Sequence, residues 1–402
     1  MQTTTIQEGL GLSIRTENKS YQVNTYSRIP TEFIRGNGVY LFDKDNNKYL
    51  DFLSGIAVTG LGHKNKELME AAINQITKLW HVSNLFVSTP QDQLAKKLTE
   101  KSGLDKVFFC NSGTEANEAA IKFARKFGKG KFNIITANGG FHGRTYGSLS
   151  ASAQEKLWDG FYPLLPGFTN VPYNDINAIK NAIDEKTIAV MLEPIQGENG
   201  IIIPSNDYIK EVRSVCDENK LLLILDEIQT GNGRTGKYFA FQYSSVLPDI
   251  VTTAKGIANG LPLGAVICSE KVANEITPGC HGSTFGGNPI AIAVANKVVD
   301  LISNELLEKV SKLGKEIIKR IQGENNKLIK EIRGLGFMIG IQFIKSIDAK
   351  QIAVKMMENK IAVVSAANNT LRLLPPLIIE KKHINKFIKT LDDILKIQNP
   401  NK

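Results

Sequence analysis

The sequence is poor in cysteine, and its few cysteines form no recognisable pattern. The 402 residues include four, Cys110, Cys216, Cys268 and Cys280, without a C-x-x-C pair or a zinc-like spacing relative to the five histidines. This usage argues against a disulfide framework and against a metal site. It predicts buried thiols in a reducing compartment.

Long apolar runs are also missing. No stretch approaches the roughly 20 apolar residues that a membrane-spanning helix requires. The segment Met1–Ser20 contains scattered charges and lacks the apolar core of a signal peptide. The two absences together predict a cytoplasmic protein without a membrane partner.

Positive charge is in modest excess, and the lysines are spread along the chain, most densely toward the C-terminus. Lys and Arg outnumber Asp and Glu by 49 to 40, which gives a formal net charge of +9 and would suit a nucleic-acid partner. The lysines, however, are mixed with acidic residues, and no basic arm with interleaved aromatic residues is present. We therefore expect a solvated, lysine-rich surface and small-molecule ligands, with no nucleic-acid partner.

Short apolar runs alternate with helix-like segments between about residues 105 and 270. The strand candidates are 107–110, 132–136, 189–192, 221–225, 250–253 and 265–268. This alternation predicts a mostly parallel sheet with helices on both faces, which binds ligands at the carboxyl ends of its strands. Polar clusters follow five of the strands, at 111–114, 139–144, 193–198, 226–229 and 255.

The two chain ends have a different character. Residues 1–58 contain short alternating runs that predict a small antiparallel element, and helices predominate from about residue 290. We expect the ends to form a second, smaller α+β domain. The predicted division is an N-terminal segment at 1–58 that joins the small domain, a large domain at 59–290 and a C-terminal small domain at 291–402.

Lys255 is the most informative side chain because it ends the apolar run Ile250–Ala254, an unusual place for a solvated lysine. Asp226 likewise ends the run Leu221–Leu225. A lysine that captures an aldehyde and a carboxylate that holds a pyridinium nitrogen are what pyridoxal phosphate chemistry requires. Burial would also lower the pKa of the lysine and free its amine. The alternatives are a surface lysine and a capping or metal-binding aspartate, although no convincing set of further metal ligands is present.

The segment Asn111–Glu115 is a candidate phosphate site. It joins a strand to a helix-like segment, so free N–H groups and hydroxyls at the helix start would face an anion. Ser112-x-x-Glu115 also fits an ordinary capping box. Neither a Walker A sequence nor a convincing dinucleotide motif occurs, because the glycine-rich stretch 231–236 has no clear helix after it.

Two further segments offer groups that would contact a flat cofactor. Phe141 could stack on a ring, and Arg144 offers a two-pronged donor for a carboxylate, although a surface turn with an ordinary salt bridge remains the alternative. We expect His142 to pack near the ring and not to act as the base. Ile228 faces the same side as Asp226 if the strand continues, and would pack against the ring.

Eight motifs, in order along most of the chain, resemble those of class III aminotransferases of pyridoxal phosphate fold type I. They are 51–63, 111–117, 141–144, 193–198, 225–236, 254–256, 281–289 and 371–376. The resemblance implies a large domain with a mostly parallel seven-stranded sheet flanked by helices, a smaller α+β domain from both chain ends, and a homodimer with the active site at the interface. Within the class, the motif Gly55–Val58, the run Arg372–Pro376 and the compact length most resemble the acetylornithine aminotransferases. Ornithine enzymes generally have a tyrosine where Ile56 stands, and an apolar residue suits a blocked α-amino group.

The resemblance also implies a role for each matching residue. The residues that hold the cofactor phosphate would be Ser112, Gly113, Thr114 and Thr284 of the partner subunit. The residues that contact the ring would be Phe141 and Ile228 on its faces, Asp226 at its nitrogen and Gln229 at its hydroxyl. Lys255 would bind the cofactor covalently and move the proton.

Three charged residues and one hydroxyl are implied for the substrates. Arg144, with Ser283 of the partner subunit nearby, would bind the α-carboxylate of acetylornithine. Arg372 would bind that of glutamate or 2-oxoglutarate, and Glu198 would pair with Arg372 and mask it. Two departures from the family pattern, Asn199 in place of Gly or Ala and Asn232 in place of an apolar residue, are expected to change loop detail without loss of chemistry.

The predicted function is therefore that of an ω-aminotransferase of arginine biosynthesis. It would interconvert N2-acetylornithine plus 2-oxoglutarate with N-acetylglutamate 5-semialdehyde plus glutamate. Alternative substrates on the same chemistry are ornithine, succinylornithine, 4-aminobutyrate and succinyl-diaminopimelate. A glutamate-1-semialdehyde aminomutase and a non-catalytic sensor of pyridoxal phosphate are further alternatives.

Overall fold

The computed structural model describes residues 21–398, so the expectation for Met1–Ser20 lies outside the described residues. The strands are β1 (Phe33–Asn37), β2 (Tyr40–Asp43), β3 (Lys48–Asp51), β4 (Lys106–Cys110), β5 (Asn133–Ala137), β6 (Phe168–Val171), β7 (Thr187–Leu192), β8 (Leu222–Asp226), β9 (Ile250–Thr253), β10 (Gly264–Cys268), β11 (Ile329–Leu335), β12 (Met338–Phe343), β13 (Ile361–Ala362), β14 (Val364–Ala366) and β15 (Thr370–Leu373).

The helices are α1 (Ser54–Ala57), α2 (Lys66–Ile76), α3 (Thr89–Ser102), α4 (Gly113–Phe127), α5 (Tyr146–Ala151), α6 (Ile176–Ala182), α7 (Tyr208–Glu218), α8 (Glu270–Ala273), α9 (Pro289–Leu301), α10 (Asn304–Gly323), α11 (Ala349–Glu358) and α12 (Lys381–Gln398). Short 3-10 helices occur at Glu155–Leu157, Ala240–Tyr243 and Lys255–Ala258. Along residues 21–398, no helix has both the length and the apolar character needed to cross a membrane.

The largest sheet has seven strands in the order β4-β10-β9-β8-β7-β5-β6. Strands β9, β8, β7, β5 and β6 pair in parallel, and β10 runs antiparallel to both β9 and β4. The predicted mostly parallel sheet with flanking helices is therefore confirmed. Because every strand except β10 points the same way, the loops after β4, β5, β7, β8 and β9 lie at one edge.

The inner strands are buried on both faces, which explains their continuous apolar sequences. Within β8, Leu223 and Leu225 pack into the core on one face, where helix α9 lies. Leu222 and Ile224 pack on the other face, against alanines and phenylalanines of α4. This arrangement follows from the alternation of side chains along a strand.

One strand of the large sheet was not predicted from the sequence. Strand β6 has the short sequence Phe-Thr-Asn-Val and pairs only with β5, at the edge of the sheet. An edge strand needs fewer apolar residues than a central one, so its sequence lacks the apolar run by which the inner strands were found.

The two smaller sheets bring the chain ends together. Strands β1, β2, β3 and β13 form one, and β11, β12, β15 and β14 form the other. The parallel pairing of β3 with β13 joins the N-terminal strands to the C-terminal third of the chain. Phe52 stacks on Phe387 with ring centroids 4.6 Å apart inside a shared apolar core. The exact division at residues 58 and 290 stays a prediction.

Helix α1 is a single turn of left-handed backbone. All four of its residues have positive φ, with 46° at Ser54, 64° at Gly55, 66° at Ile56 and 64° at Ala57. For residues other than glycine, this conformation costs about 1–2 kcal/mol each. The Asp51 carboxylate stabilises the start of the turn by accepting the N–H groups of Leu53 (2.9 Å) and Ser54 (2.7 Å).

The buried Arg234 connects the left-handed turn to the C-terminal part of the chain by hydrogen bonds. Its guanidinium donates to the Ser54 hydroxyl (3.3 Å), the Phe337 carbonyl (3.3 Å) and the Pro375 carbonyl (2.5 Å). Burial lowers the pKa of Arg234 to about 9, partly offset by the charge of Asp51. One side chain of the large sheet's loops thus holds segments from both ends of the chain.

Candidate active site

Lys255 and Asp226 come from neighbouring strands and line one cavity. Asp226 is the last residue of β8 and pairs in register with Thr252 of β9, while Lys255 follows two residues after the end of β9. The cavity has a volume of 420 Å³, within the range of ligand sites. Its lining includes nine residues singled out in the sequence, which are Ser112, Gly113, Thr114, Phe141, Arg144, Asp226, Ile228, Gln229 and Lys255.

The Asp226 carboxylate is buried and held by three donors. Its Oδ2 lies 2.8 Å from His142 Nδ1 and accepts the side-chain amide of Asn117 at 2.8 Å. Its Oδ1 accepts the N–H of Ile228 at 3.1 Å. Burial alone would lower the pKa of His142, but the hydrogen bond and charge of Asp226 raise it overall. These bonds fix the carboxylate in place beneath the cavity.

The relation between Asp226 and Ile228 differs from the one expected. Strand β8 ends at Asp226, so the continuation through Ile228, on which the shared side was conditional, does not occur. The chain turns instead, because the N–H of Ile228 bonds to the aspartate side chain and not to a neighbouring strand. Both side chains nevertheless line the cavity.

Lys255 is partly buried and has an unusual backbone conformation. Burial lowers the pKa of its amine, and the nearby carboxylates of Glu198 and Asp226 only partly oppose this. Its φ of 47° lies in the left-handed region. Asn232 supports this conformation by donating to the Thr253 hydroxyl at 3.0 Å and to the Ala254 carbonyl at 3.1 Å. A lysine with a lowered pKa is suited to act as a nucleophile and a base.

The start of helix α4 forms one end of the cavity. Ser112 caps the helix by accepting the N–H of Glu115 at 3.3 Å, and Glu115 accepts the N–H of Asn111 at 2.5 Å. The Ser112 half of the capping box is thus present, whereas Glu115 bonds to the N–H of Asn111 in place of that of Ser112. A Cβ at Gly113 would lie 2.8 Å from Ile228 Cδ1, so the close approach there requires glycine. Capping does not prevent the free N–H groups of the first turn from binding an anion.

The buried carboxylate of Glu193 ties two loops of the site together. Its Oε1 accepts the N–H of Phe141 at 2.9 Å, and its Oε2 accepts the N–H of Gly197 at 3.0 Å. Burial raises the pKa of Glu193 to about 7, although the charge of His142 opposes the increase. The positions of Phe141 and of the loop after β7 therefore depend on this one side chain.

Arg144 lies exposed at the mouth of the cavity. Its guanidinium carbon is 5.6 Å from the centroid of the Phe141 ring. Among residues 21–398, no carboxylate lies within 4.0 Å of it, so the ordinary salt bridge considered from the sequence is not found there. The guanidinium is available for a carboxylate ligand.

Glu198 and Arg372 form an ion pair beside the cavity. Arg372 Nη1 donates to Glu198 Oε1 at 2.5 Å, and Gln229 Nε2 is 3.4 Å from the same oxygen. Burial alone would raise the pKa of Glu198, but the charge of Arg372 and its hydrogen bond lower it overall. Glu198 lines an adjoining cavity of 560 Å³ that also contacts Phe141 and Arg144. The buried Nε of Arg372 has no partner among the described residues, which leaves the guanidinium capacity for another acceptor.

Ser283 and Thr284 are not brought into the cavity of their own chain. Ser283 accepts the side-chain amide of Asn111 at 3.0 Å, and Thr284 is exposed. Neither residue lines the cavity that contains Lys255. Their predicted roles depend on a partner subunit and stay predictions.

The residues present fit pyridoxal phosphate. The cavity has hydroxyls and a helix start for a phosphate, a buried acid for a ring nitrogen and an amine with a lowered pKa for an aldehyde. Ile228 and Phe141 supply apolar contacts for a flat ring. Within residues 21–398, no group of three or more His, Cys, Asp or Glu side chains could hold a metal ion.

Three residues of the site had no assigned role from the sequence, namely Asn117, Glu193 and Asn232. Each acts through a contact with a residue distant in the chain, as Asn117 does with Asp226. Asn117 and Glu193 lie inside motifs that were recognised, so the motifs pointed to them without indicating what they contact. Asn232 was noted only as a departure from the family pattern, and its φ of 56° agrees with the tolerance of asparagine for left-handed backbone.

Comparison with known proteins gives relatives of one family over most of the chain. A sequence profile described as aminotransferase class-III matches residues 21–395. The acetylornithine aminotransferase of Methanocaldococcus jannaschii is 46% identical over 385 residues, covering 94% of this chain and 96% of that protein. The acetylornithine aminotransferase of Aquifex aeolicus is 44% identical over 384 residues, covering 94% of this chain and 100% of that protein.

Solved structures show the same fold. The ornithine aminotransferase of Toxoplasma gondii superimposes with a TM-score of 0.90 at 32% identity, covering 94% of each chain. The N-acetylornithine aminotransferase of Stenotrophomonas maltophilia gives a TM-score of 0.81 at 34% identity, covering 94% of this chain and 98% of that one.

Replacing Glu193 by glutamine should change how stability depends on pH. With a pKa of about 7 in the folded protein and 4.5 as the ordinary value, Glu193 binds more protons when folded. The free energy of unfolding should therefore fall as the pH rises from about 4.5 to 7, by up to about 3 kcal/mol from this group. In Glu193→Gln, the free energy of unfolding should lack this part of the decrease. Denaturant titrations at pH 5, 6, 7 and 8 measure it. Glu331→Gln, at a largely exposed position, is the control. Parallel curves for Glu193→Gln and the wild type would contradict the assignment.

Proposed function

Because the chain belongs to the class-III aminotransferases, we propose that it transfers the δ-amino group of N2-acetylornithine to 2-oxoglutarate. The products are N-acetylglutamate 5-semialdehyde and glutamate, and the reverse direction would serve arginine biosynthesis. The observation that carries the proposal is the ion pair of Glu198 and Arg372 beside the cavity of Lys255, because it provides a cation that can be masked or exposed. The names of the relatives at 44–46% identity support the same substrate.

The enzyme is an aminotransferase that depends on pyridoxal phosphate. When bound, this cofactor supplies a carbonyl group that joins to an amine and a protonated ring that stabilises a carbanion. Asp226 would keep the ring nitrogen protonated, since a fixed carboxylate favours the nearby positive charge. Lys255 Nζ would hold the cofactor and carry the proton between the two carbons that exchange it. Ser112, Gly113 and Thr114 would hold the phosphate.

The two substrates differ in charge next to the reacting carbon, where glutamate carries its α-carboxylate and the Cδ of acetylornithine carries none. Acetylornithine carries a single carboxylate, which Arg144 at the cavity mouth would bind. Glutamate carries two carboxylates, and Arg372 would bind the α-carboxylate after Glu198 moves away. A single cavity can then accept both substrates in alternating half-reactions.

Ile56 would help to select between substrates with a free α-amino group and those with an acylated one. This residue is exposed on the left-handed turn next to Val58, which lines the cavity. An apolar side chain offers no partner for a free α-ammonium group and so favours an acylated one. Ornithine is the second candidate substrate, because the Toxoplasma gondii structure with a TM-score of 0.90 is an ornithine aminotransferase.

We also propose a homodimer in which Thr284 of the partner subunit completes the phosphate site. An apolar patch lies next to the loop that contains this residue, and its members are Trp80, Leu85, Phe86, Val87 and Phe285, all more than half exposed. Asn84 joins the two parts by donating to the carbonyls of Ser283 (3.1 Å) and Gly286 (2.8 Å). Exposed apolar patches of this kind mark protein interfaces. The four cysteines are free thiols, which agrees with the proposed cytoplasmic location. Three of them are buried as predicted, whereas Cys280 is partly exposed.

The substrate proposal is tested by a single half-reaction. The purified enzyme with bound cofactor and acetylornithine alone should convert the cofactor to its pyridoxamine form, visible in the absorption spectrum. Lys255→Ala should slow this conversion by more than about 10³-fold because the nucleophile and proton carrier is lost, with its fold and far-ultraviolet circular dichroism retained. No conversion by the wild type with acetylornithine, but conversion with ornithine, would overturn the substrate assignment.

Arg372→Ala should affect the two half-reactions unequally. We expect kcat/KM for glutamate to fall roughly 100-fold, since truncating a buried charge that binds a carboxylate removes a strong contact. The acetylornithine value should fall less than about tenfold. Stopped-flow measurement of kcat/KM for both half-reactions tests this prediction. Arg320→Ala on the surface of α10 is the control. Equal losses would argue against masking by Glu198.

Mixed dimers test whether Thr284 acts across the interface. Lys255→Ala and Thr284→Glu should each be inactive alone, the second because its charge repels phosphate. After mixing, one site of the mixed dimer has both residues intact, so roughly a quarter of the activity should return under random pairing. A mixture of Lys255→Ala with Asp226→Ala is the control, because both changes affect the same site and no activity should return. Absence of recovery despite demonstrated mixed dimers would show that Thr284 does not act in the partner's site.

A further inference from the structure

We propose that Asn199 and Asn368 form a latch that controls how readily Glu198 releases Arg372. The latch would set the preference of the site between dicarboxylates, such as glutamate, and acylated monocarboxylates, such as acetylornithine. The inference rests on the proposed function for its substrates, and it concerns positioning residues that do not line the cavity of Lys255.

The latch joins the Glu198 loop to the hairpin between β14 and β15. The side-chain amide of Asn368 donates to the Asn199 carbonyl at 2.8 Å and to Asn199 Oδ1 at 3.0 Å. The backbone N–H of Ala367 donates to the Glu198 carbonyl at 3.3 Å. The backbone that directly follows the Glu198 side chain is therefore held by this hairpin turn at two successive carbonyls.

The same hairpin carries Arg372, the partner of Glu198. Arg372 lies in β15, four residues after Asn368, and pairs in register with Val364 of β14. Holding the Glu198 backbone against this turn fixes the distance between the carboxylate and the guanidinium. The latch thus favours the closed arrangement of the ion pair, with its contact of 2.5 Å.

A chain of amide groups extends the latch toward Phe141 and Arg144. Asn199 Nδ2 donates to Gln196 Oε1 at 2.8 Å, and Gln196 Nε2 donates to the Asn138 carbonyl at 2.9 Å. The packing is close, because a Cβ at Gly139 would lie 2.2 Å from Asn199 Nδ2. Aligned amides strengthen one another, so the side chain of Asn199 links the hairpin to the loop that carries Arg144.

The consequence for binding follows from the charges. A dicarboxylate must displace Glu198 from Arg372 before it can bind there, whereas an acylated monocarboxylate is accommodated while the pair stays closed. A loop freed from the latch gains conformational entropy when Glu198 moves away. Loss of the latch should therefore favour dicarboxylates relative to acetylornithine.

The test uses two variants that break the latch from opposite sides. Asn199→Ala removes the Oδ1 acceptor and the link to Gln196, and it leaves only the backbone carbonyl at this position to accept from Asn368. Asn368→Gly removes the donor, and glycine is chosen because Asn368 has a φ of 55° that alanine would adopt only with strain. Asn326→Ala is the matched control, because this small-domain asparagine also bonds to a loop N–H (that of Leu328, 3.0 Å) and lies away from the ion pair.

Two measurements on the enzyme with bound cofactor decide the outcome. Calorimetric titration with glutarate, a dicarboxylate that cannot react, should show a Kd lowered roughly three- to tenfold in both variants, as expected for the loss of one or two hydrogen bonds. The ratio of kcat/KM for glutamate to that for acetylornithine should rise by a similar factor. The control should match the wild type in both.

An unchanged glutarate Kd in Asn368→Gly, an exposed position where folding is not at risk, would overturn the latch. Equal losses in both half-reactions without tighter glutarate binding would also overturn it, because they indicate a purely structural role. If the wild type transaminates neither substrate, the proposed function fails, while the glutarate titration still reports on the latch.

Discussion

The buried carboxylate of Asp226 is the charge on which the rest of the site depends. A carboxylate removed from water is costly unless donors surround it. Here the donors come from helix α4, from the loop after β5 and from the turn after β8, through Asn117, His142 and Ile228. The hydrogen bonds to this one acid therefore hold helix α4, the loop after β5 and the turn after β8 in a fixed arrangement around the cavity.

The sequence predicted the central sheet and the position of the site because both have strong local signals. The inner strands are uninterrupted apolar runs, and Lys255 and Asp226 stand out as charges at the ends of such runs. Contacts between distant residues leave no such signal. The two bonds of Glu193, the support of Lys255 by Asn232 and the latch between Asn199 and Asn368 join segments up to 169 residues apart, and only the folded chain brings them together. Strand β6 was not predicted for a different reason. It lies at the edge of the sheet, where a strand can form without an apolar run in its sequence.

Both ends of the chain contribute segments that lie beside the cavity of the central sheet. Arg372 comes from the C-terminal third and the left-handed turn from the N-terminal region, and Arg234 bonds to segments of both. Under the proposed function, the large sheet and its loops provide Lys255, Asp226 and Arg144, whereas a smaller sheet provides Arg372. Substitutions around Arg372 can then alter specificity while Lys255 and Asp226 stay in place.

The left-handed turn at Ser54–Ala57 has a consequence for protein engineering. Its backbone is imposed by Asp51 and Arg234, which lie outside the turn. A loop transplanted from another enzyme would relax to an ordinary right-handed turn unless both supports came with it. Libraries aimed at new amine donors should therefore vary only the side chain at Ile56. The backbone of the turn should be kept together with Asp51 and Arg234.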